Sequence, residues 1–264
     1  MSRPDPTLVC APNGDTVASV NTSPHKPSIL VVQHAEGGGP HRIGDWLRQC
    51  GAELDIVHGY TGADVIPDTL THDAMIVMGG GYLPDADDRA DWLAPTRRLV
   101  QQALDNDVPY MGVCLGGQIL AHVAGGVVEG DVGAPEAGST PIRLRSDVDA
   151  DALFHGLPQE LTAMEHHVDA ITKLPANAIW LAHSDRCPNQ AFRVGARAWG
   201  FQFHPEMTPD RILGWGAEKL ASQGFDRDDL HAQAVRDEPA STPVWRTVVE
   251  RFATLVSEAA SRRA

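Results

Sequence analysis

The segment most informative about the fold class is Pro109-Tyr110-Met111-Gly112-Val113-Cys114-Leu115-Gly116-Gly117-Gln118. Its apolar residues up to Val113 predict a buried strand, and a helix is predicted to follow at once, around residues 118–124. A Gly-x-Cys-x-Gly turn between a strand and a helix is typical of a nucleophile elbow with cysteine in place of serine. The glycines permit a sharp turn without a Cβ clash, and the helix N-terminus favours a thiolate at Cys114. We interpret Cys114 as a nucleophile, the alternative being a buried structural cysteine beside packing glycines.

Short apolar strands alternate with amphipathic helices on both sides of this stretch. In the first half, strands are predicted at residues 29–32, 54–57, 74–78 and 108–113, and apolar helical faces at 43–50 and 92–103. This alternation predicts an α/β fold, a three-layer, mostly parallel sheet with helices on both faces and ligands at the carboxyl ends of the strands. The second half is richer in strands, and its last helix is predicted to begin with Thr242 as N-cap and Pro243 as first helical residue.

Composition and charge exclude several classes of protein. The 264 residues are 42% hydrophobic and 21% charged, which is typical of a globular chain with a sizeable core. The net charge of −14 argues against binding to nucleic acid or to an anionic membrane surface. No apolar run is long enough to predict a membrane span. Residues 1–27 hold several prolines and no periodicity, so we expect an irregular leader there and one domain over residues 28–264.

The remaining cysteines and the histidine pair carry weaker signals. Cys10, Cys50 and Cys187 lack the context of an elbow, so we expect no catalytic role for them. Cysteines without paired spacing, in a chain without a secretory pattern, favour reduced thiols and a cytoplasmic location.

His166-His167 with Asp169 has no second cluster at zinc spacing, and the glycines at 37–39 match no phosphate-binding motif. We therefore expect neither a metal nor a cofactor.

A thiolate nucleophile requires a base, and the stretch Trp199-Gly200-Phe201-Gln202-Phe203-His204-Pro205-Glu206 offers one. It is predicted as an apolar strand that ends in His-Pro-Glu. Residues two apart on a strand point to the same face, so we expect His204 and Glu206 side by side, about 6–7 Å apart along the chain. Pro205 cannot donate to a sheet and marks the strand end. The alternative is an ordinary strand end that carries two polar residues.

The two motifs together resemble those of the class I (triad-type) glutamine amidotransferases. Residues 112–118 match the nucleophile segment, and His204-Pro205-Glu206 follows at a matching distance. Met78-Gly79-Gly80-Gly81 resembles the oxyanion loop, although proline is usual where Gly81 stands. Residues 165–169 resemble the His-Gly-Asp segment of GMP synthetase amidotransferase domains, and 187–192 resemble the stretch that follows it. With the opening Val31-Val32-Gln33-His34, the resemblance spans about residues 28–210 and points to the stand-alone, GMP-synthetase-like branch.

This resemblance implies a flavodoxin-like fold and a triad of Cys114, His204 and Glu206. Cys114 would attack the carboxamide carbon of glutamine, His204 would pass the thiol proton to the leaving ammonia, and Glu206 would orient His204. Water would hydrolyse the γ-glutamyl thioester to glutamate. The further implied contacts are the oxyanion donors, the backbone N–H groups of Gly80 and Leu115, and the substrate-binding residues Gln118, His167, Val168 and Asp169.

The acceptor of the ammonia is left open by the sequence. No ATP-binding signature is visible, so we expect any synthetase to be a separate polypeptide. An alternative function is a stand-alone γ-glutamyl peptidase or hydrolase that applies the same thioester chemistry to larger γ-glutamyl conjugates. A third is a non-catalytic binding module with a relic site, which the presence of all three triad residues disfavours.

Overall fold

A nine-stranded sheet runs through the centre of the structure. The structure, a computed structural model, describes residues 26–263, so residues 1–25 of the predicted leader lie outside the described residues. The strands are β1 (Ser28–Gln33), β2 (Glu53–His58), β3 (Ala74–Val77), β4 (Tyr110–Val113), β5 (Val127–Glu129), β6 (Glu136–Leu144), β7 (Glu160–His167), β8 (Ala170–Lys173), β9 (Ile179–His183), β10 (Ala191–Val194) and β11 (Ala198–Phe201). The helices are α1 (His41–Gln49), α2 (Leu93–Asp105), α3 (Leu115–Val123), α4 (Ala217–Ser222) and α5 (Arg227–Arg263), with 3₁₀ helices at Gly59–Thr61, Ala63–Val65, Ser146–Ala150 and Pro209–Gly214.

The sheet has a parallel half and an antiparallel half. Its strand order is β2-β1-β3-β4-β11-β10-β9-β6-β7, while β5 and β8 form a separate antiparallel pair. The neighbours from β2 to β11 are parallel, and those from β11 to β7 are antiparallel. The predicted α/β fold is confirmed. The parallel half includes β4 and β11, whose carboxyl ends lead into the cysteine and the histidine that the sequence singled out.

Side chains on the two faces of the sheet belong to two separate parts of the core. Along β1, Ile29 and Val31 pack on the side that α1 and α5 cover, while Leu30 and Val32 pack on the side of α2 and α3. All four are fully buried, and each such side chain contributes roughly 1.5–3 kcal/mol relative to exposure. A strand buried on both faces explains why its sequence is continuously apolar rather than alternating.

The predicted strand before His204 is shorter than expected. The sequence indicated extended structure as far as Phe203 and beyond, but β11 ends at Phe201. A turn follows, in which the N–H of Met207 donates to the carbonyl of His204 at 3.3 Å. The prediction that His204 and Glu206 lie on one strand face is therefore wrong, because the chain bends there as it leaves the sheet.

The last helix begins sixteen residues earlier than predicted, since Pro243 was expected as its first residue after a Thr242 cap. Its N-terminus is at Arg227, where the Asp226 carboxylate accepts the N–H groups of residues 228 and 229, each at 2.9 Å. Pro243 lies inside the helix, as does Pro239. Each proline removes one backbone donor, but the helix continues because its apolar face is anchored in the core on both sides of the prolines. Over residues 26–263, no helix combines the length and apolar content that crossing a membrane requires.

Candidate active site

Cys114 lies at a strained turn between β4 and α3. Its backbone has φ 51° and ψ −107°, a conformation that an L residue adopts only at a cost of order 1–3 kcal/mol. The Cys114 N–H donates to the carbonyl of Phe201 at 2.8 Å, which fixes the turn to the end of β11. A Cβ added at Gly116 would lie 2.0 Å from the carbonyl oxygen of Val77, and one at Gly112 only 2.4 Å from the backbone of Gly116. The predicted strand-to-helix elbow is confirmed, together with its need for glycine.

His204 and Glu206 are in direct contact although they do not share a strand. The Nδ1 atom of His204 lies 2.8 Å from Oε1 of Glu206, and both residues are buried. The His204 N–H donates to the carbonyl of Met164 at 2.8 Å, which ties this turn to β7. The turn thus places the carboxylate on one ring nitrogen and leaves the other free to face Cys114.

The charge state of His204 is set by its two partners. Burial by itself would lower the pKa of His204, but the charges of Glu206 and Cys114 and the hydrogen bonds to both raise that pKa well above its ordinary value. The arrangement therefore favours a protonated imidazole next to the sulfur of Cys114, with Glu206 on the other side of the ring. Such a pair supplies a nucleophile and a proton donor in one site.

Gln202 also contacts the cysteine, and sequence reasoning missed it. Its Nε2 lies 3.6 Å from the sulfur of Cys114, and its Oε1 accepts from Nε2 of Gln118 at 3.2 Å. The same Gln118 nitrogen lies 3.2 Å from the carbonyl oxygen of Asp169. The available signal was the position of Gln202, two residues before His204 in an otherwise apolar stretch. Two side-chain amides thus connect Cys114 to the segment predicted to hold substrate.

The loop after β3 faces the cysteine across the site. A Cβ at Gly79 would lie 2.8 Å from Cε1 of His204 and 3.5 Å from Cβ of Cys114. A Cβ at Gly80 would lie 2.8 Å from a methyl carbon of Leu115. Gly80 and Leu115, the predicted oxyanion donors, are therefore neighbours, and their role as donors stays a prediction. At Gly81, where the family usually has proline, an added Cβ would meet no atom within 4 Å.

A cavity of about 370 Å³ opens above these groups. Cys114, His204 and Glu206 line it, as does Gly80. The residues predicted to bind substrate line it too: Gln118, His167, Val168 and Asp169. The structure therefore brings to one cavity all of the predicted site residues except Leu115, whose side chain packs in the core below. This clustering is what the family resemblance implied, while the individual roles remain predictions.

A buried polar cluster lies beside the cavity. Side-chain atoms of Glu136, His167 and Cys187 lie within 4.8 Å of one another, and these are ligand types that zinc accepts. The carboxylate of Glu136, however, already accepts from Ser184 Oγ at 2.5 Å and Gln190 Nε2 at 2.7 Å, and it lies 3.1 Å from His167 Nε2. Sequence spacing could not find this group, since its members come from three separate segments.

Glu165 is the most unusual member of this region. It is fully buried, and neither carboxylate oxygen has a hydrogen-bond partner among the described residues. Burial and the nearby charge of Glu136 raise the pKa of Glu165 well above its ordinary value. One of its oxygens lies 3.4 Å from Nε2 of His167. Burial therefore favours the protonated, uncharged form of the Glu165 side chain.

Arg42 of α1 joins the turn that carries His204 and Glu206 to the last helix. Its Nε donates to the carbonyl of Pro205 at 2.8 Å. One terminal nitrogen donates to Glu238 at 2.7 Å and to Thr242 at 3.0 Å on α5. The guanidinium thus holds the residue between His204 and Glu206 in place through a contact that no local sequence pattern indicates.

Comparison with known proteins agrees with this geometry. The family described as "Glutamine amidotransferase class-I" matches residues 37–212. A glutamine-hydrolyzing GMP synthase subunit of Archaeoglobus fulgidus is 34% identical over 180 residues, which are 67% of this chain and 88% of that protein. The protein of the same description from Pyrococcus furiosus is 29% identical over 180 residues, 68% of this chain and 89% of that one. A crystal structure of a glutamine amidotransferase from Thermotoga maritima superposes with a TM-score of 0.76 at 24% identity, covering 87% of this chain and 99% of that chain, and it supports the fold.

Proposed function

The chain belongs to the class-I glutamine amidotransferase family, and on that premise we propose that it hydrolyses the carboxamide of glutamine to glutamate and ammonia through a thioester on Cys114. The proposal depends on one observation. Glu206 contacts His204, His204 is hydrogen-bonded to Cys114, and all three residues line one cavity. In this proposal Cys114 is the nucleophile, His204 transfers the proton and Glu206 orients the imidazole.

The first half-reaction follows from the positions of these groups. The Cys114 sulfur attacks the γ-carbon of glutamine, and the carbonyl oxygen gains negative charge. In this proposal the N–H groups of Gly80 and Leu115 would stabilise that oxygen, each such donor contributing roughly 3–4 kcal/mol to lowering the barrier. The carbon–nitrogen bond then breaks as His204 gives its proton to the departing ammonia. A γ-glutamyl thioester and a neutral imidazole are left.

Water completes the cycle. The neutral His204 accepts a proton from water, the resulting hydroxide attacks the thioester carbon, and glutamate leaves as the Cys114 thiolate is restored. Gln118 and the backbone of residues 167–169 would hold the amino acid portion of the substrate, because they line the same cavity as the sulfur. Gln202 would support the thiolate with its amide N–H.

The ammonia would be used by a separate synthetase. The relatives from Archaeoglobus fulgidus and Pyrococcus furiosus are each described as one subunit of a glutamine-hydrolyzing GMP synthase. We propose by analogy that this chain delivers ammonia to another polypeptide. Activation of its glutaminase by a co-purifying protein would support this step, whereas full activity that no partner changes would contradict it.

Glutamate and ammonia production from glutamine by the purified chain tests the proposal. Cys114→Ser is expected to abolish turnover, since the change is nearly isosteric but removes the thiolate. Cys50→Ser is the matched control, because Cys50 is an exposed free cysteine away from the cavity. A glutamine-like chloroketone should label the wild type at Cys114 and leave the Cys114→Ser variant unlabelled. Equal turnover by both serine variants would overturn the assignment of the nucleophile.

A further inference from the structure

The cavity above Cys114 extends beyond the catalytic groups, towards α4. At about 370 Å³ it falls in the range of pockets that hold drug-sized ligands, and it is larger than one glutamine fills. Its lining also includes Arg211, Trp215 and Lys219, which come from the segment after the turn at Pro205, and Lys219 belongs to α4. Neither the proposed triad nor the predicted glutamine contacts use these residues.

The geometry of His204 assigns a direction to the leaving group. Since Glu206 occupies Nδ1 of His204, the proton for the leaving nitrogen must come from the other ring nitrogen. The leaving group therefore lies on the His204 side of the sulfur, and the amino acid portion lies on the Gln118 side. Met207 and Arg211 follow Glu206 in the chain and line the cavity, so the leaving group would face the segment that leads to Lys219.

Two cations lie at this end without a carboxylate partner. Arg211 donates to the backbone carbonyl of Gly37, which also lines the cavity. The Lys219 side chain is exposed, and no ion pair of either residue with a carboxylate occurs within the described part of the chain. The cavity is also lined by the carboxylates of Glu136, Asp169 and Glu206, but none of these forms an ion pair with Arg211 or Lys219 among the described residues. The two cations offer charge-assisted hydrogen bonds to an anion.

A flat, uncharged surface lies beside the cations. The rings of His166 and Trp215 stack with centroids 4.0 Å apart and an interplanar angle of 9°. Burial first, and then the charges of His204 and Lys219, lower the pKa of His166 to about 4, so the stack is neutral at pH 7. Both rings line the cavity. This end therefore combines positive charge with an aromatic wall, which suits a small organic anion better than bare ammonia.

We propose that the outer end of the cavity is a leaving-group subsite that takes an α-amino acid, with its carboxylate at Arg211 and Lys219 and its side chain against the His166–Trp215 stack. The substrate class is then γ-glutamyl amino acids. Glutamine differs from these substrates in that its leaving group is ammonia rather than an amino acid. The inference rests on the proposed thioester chemistry. The Cys114 sulfur bonds to the γ-carbon, the carbon–nitrogen bond breaks, and the nitrogen of the leaving amino acid takes the proton of His204. Water then releases glutamate.

The test compares kcat/KM for γ-glutamyl-phenylalanine, its C-terminal amide and glutamine. The free acid is expected to exceed the amide by about fivefold or more, since only the acid presents a carboxylate to the two cations. Lys219→Glu should bring this ratio close to one. Lys173→Glu makes the same charge change on the exposed end of β8, outside the cavity, and should keep the wild-type ratio. Thermal unfolding of both variants checks that each remains folded.

Each outcome decides the matter. Turnover of glutamine with no turnover of either γ-glutamyl-phenylalanine compound, or with equal turnover of acid and amide, overturns the subsite and leaves the proposed glutaminase standing. A ratio that Lys219→Glu and Lys173→Glu lower equally also overturns it, because the effect would then be one of overall charge. Lack of turnover on all three compounds overturns the thioester chemistry and the subsite together.

Discussion

Nδ1 of His204 lies 2.8 Å from Oε1 of Glu206 because the chain turns at Pro205 after leaving the sheet at Phe201. An extended chain would hold the two side chains about 6–7 Å apart along its axis. Because of the turn, the side chains of His204 and Glu206 are close enough to form a hydrogen bond. The carboxylate then determines both the orientation and the charge of the imidazole.

Glu206→Gln should lower kcat for glutamine hydrolysis by less than His204→Ala does. An amide can still orient the ring but carries no charge, whereas the alanine variant loses proton transfer and should fall by roughly 10³–10⁴-fold. Glu206 helps to raise the pKa of His204, so its removal lets the imidazolium deprotonate at lower pH. The alkaline limb of the pH–rate profile should therefore move to lower pH in Glu206→Gln. An unmoved alkaline limb would contradict the role of Glu206 in setting the charge of His204.

Glu165→Gln should remove a pH dependence from the stability of the fold. The pKa of Glu165 is raised in the folded chain, so its contribution to stability is fully present below its ordinary pKa of 4.5 and is lost as pH rises towards the folded value. Over that interval the wild type should lose up to about 1.4 kcal/mol of unfolding free energy per pH unit relative to the glutamine variant.

Urea unfolding of both proteins between pH 5 and 8 measures this difference. Glu160→Gln serves as the control, since the side chain of Glu160 is 78% exposed and should leave the pH slope unchanged. Parallel stability curves for wild type and Glu165→Gln would show that Glu165 is ionised in the folded chain.

Gly116→Ala should unfold the elbow. Its Cβ would lie 2.0 Å from the carbonyl oxygen of Val77, which belongs to the central sheet and has little room to move. We expect a loss of more than about 3 kcal/mol of unfolding free energy, in the range of severe overpacking. Gly81→Ala is the matched control, because a Cβ there meets no atom within 4 Å, and it should cost less than about 1 kcal/mol. Similar melting temperatures for the two alanine variants would refute the close approach at Gly116.

Arg42→Gln should weaken both the fold and the catalytic turn. The substitution removes the hydrogen bond to Pro205 and leaves the Glu238 carboxylate without its cation, for an expected cost of about 2–4 kcal/mol. The comparison is Arg246→Gln, since the pair of Arg246 with Glu250 is about half exposed on α5 and should contribute less than about 0.5 kcal/mol. Chemical unfolding and glutaminase kcat would be measured on both, and a larger effect at Arg246 would contradict the bracing role of Arg42.

The sequence predicts well those features that depend on local pattern. The elbow at Cys114 was predictable because the glycines are spaced where a Cβ would clash. The parallel strands were predictable because burial on both faces makes their sequences continuously apolar. The start of α5 was mispredicted, since a Thr-Pro pair indicates a helix start until the core packing on both sides of Pro243 is known. The Asp226 cap was available as a signal, but it lies sixteen residues before the Thr-Pro pair.

Contacts between distant segments could not be predicted in this way. Glu136, Glu165 and Cys187 come together only because β6 and β7 pair and the loop after β9 returns to them, and polar residues on separate strands give no joint sequence signal. Gln202 was missed for a different reason. A single amide side chain two residues before His204 is compatible with many structural roles, so its sequence position alone does not indicate a contact with Cys114.

The link from Arg42 to Glu238 and Thr242 has a consequence for how the protein is made. Arg42 leaves the ribosome early, whereas its partners on α5 are translated nearly two hundred residues later. Until those partners emerge, the guanidinium that braces Pro205 lacks its counter-charge. The turn that carries His204 and Glu206 is therefore fully braced only after α5 has been translated.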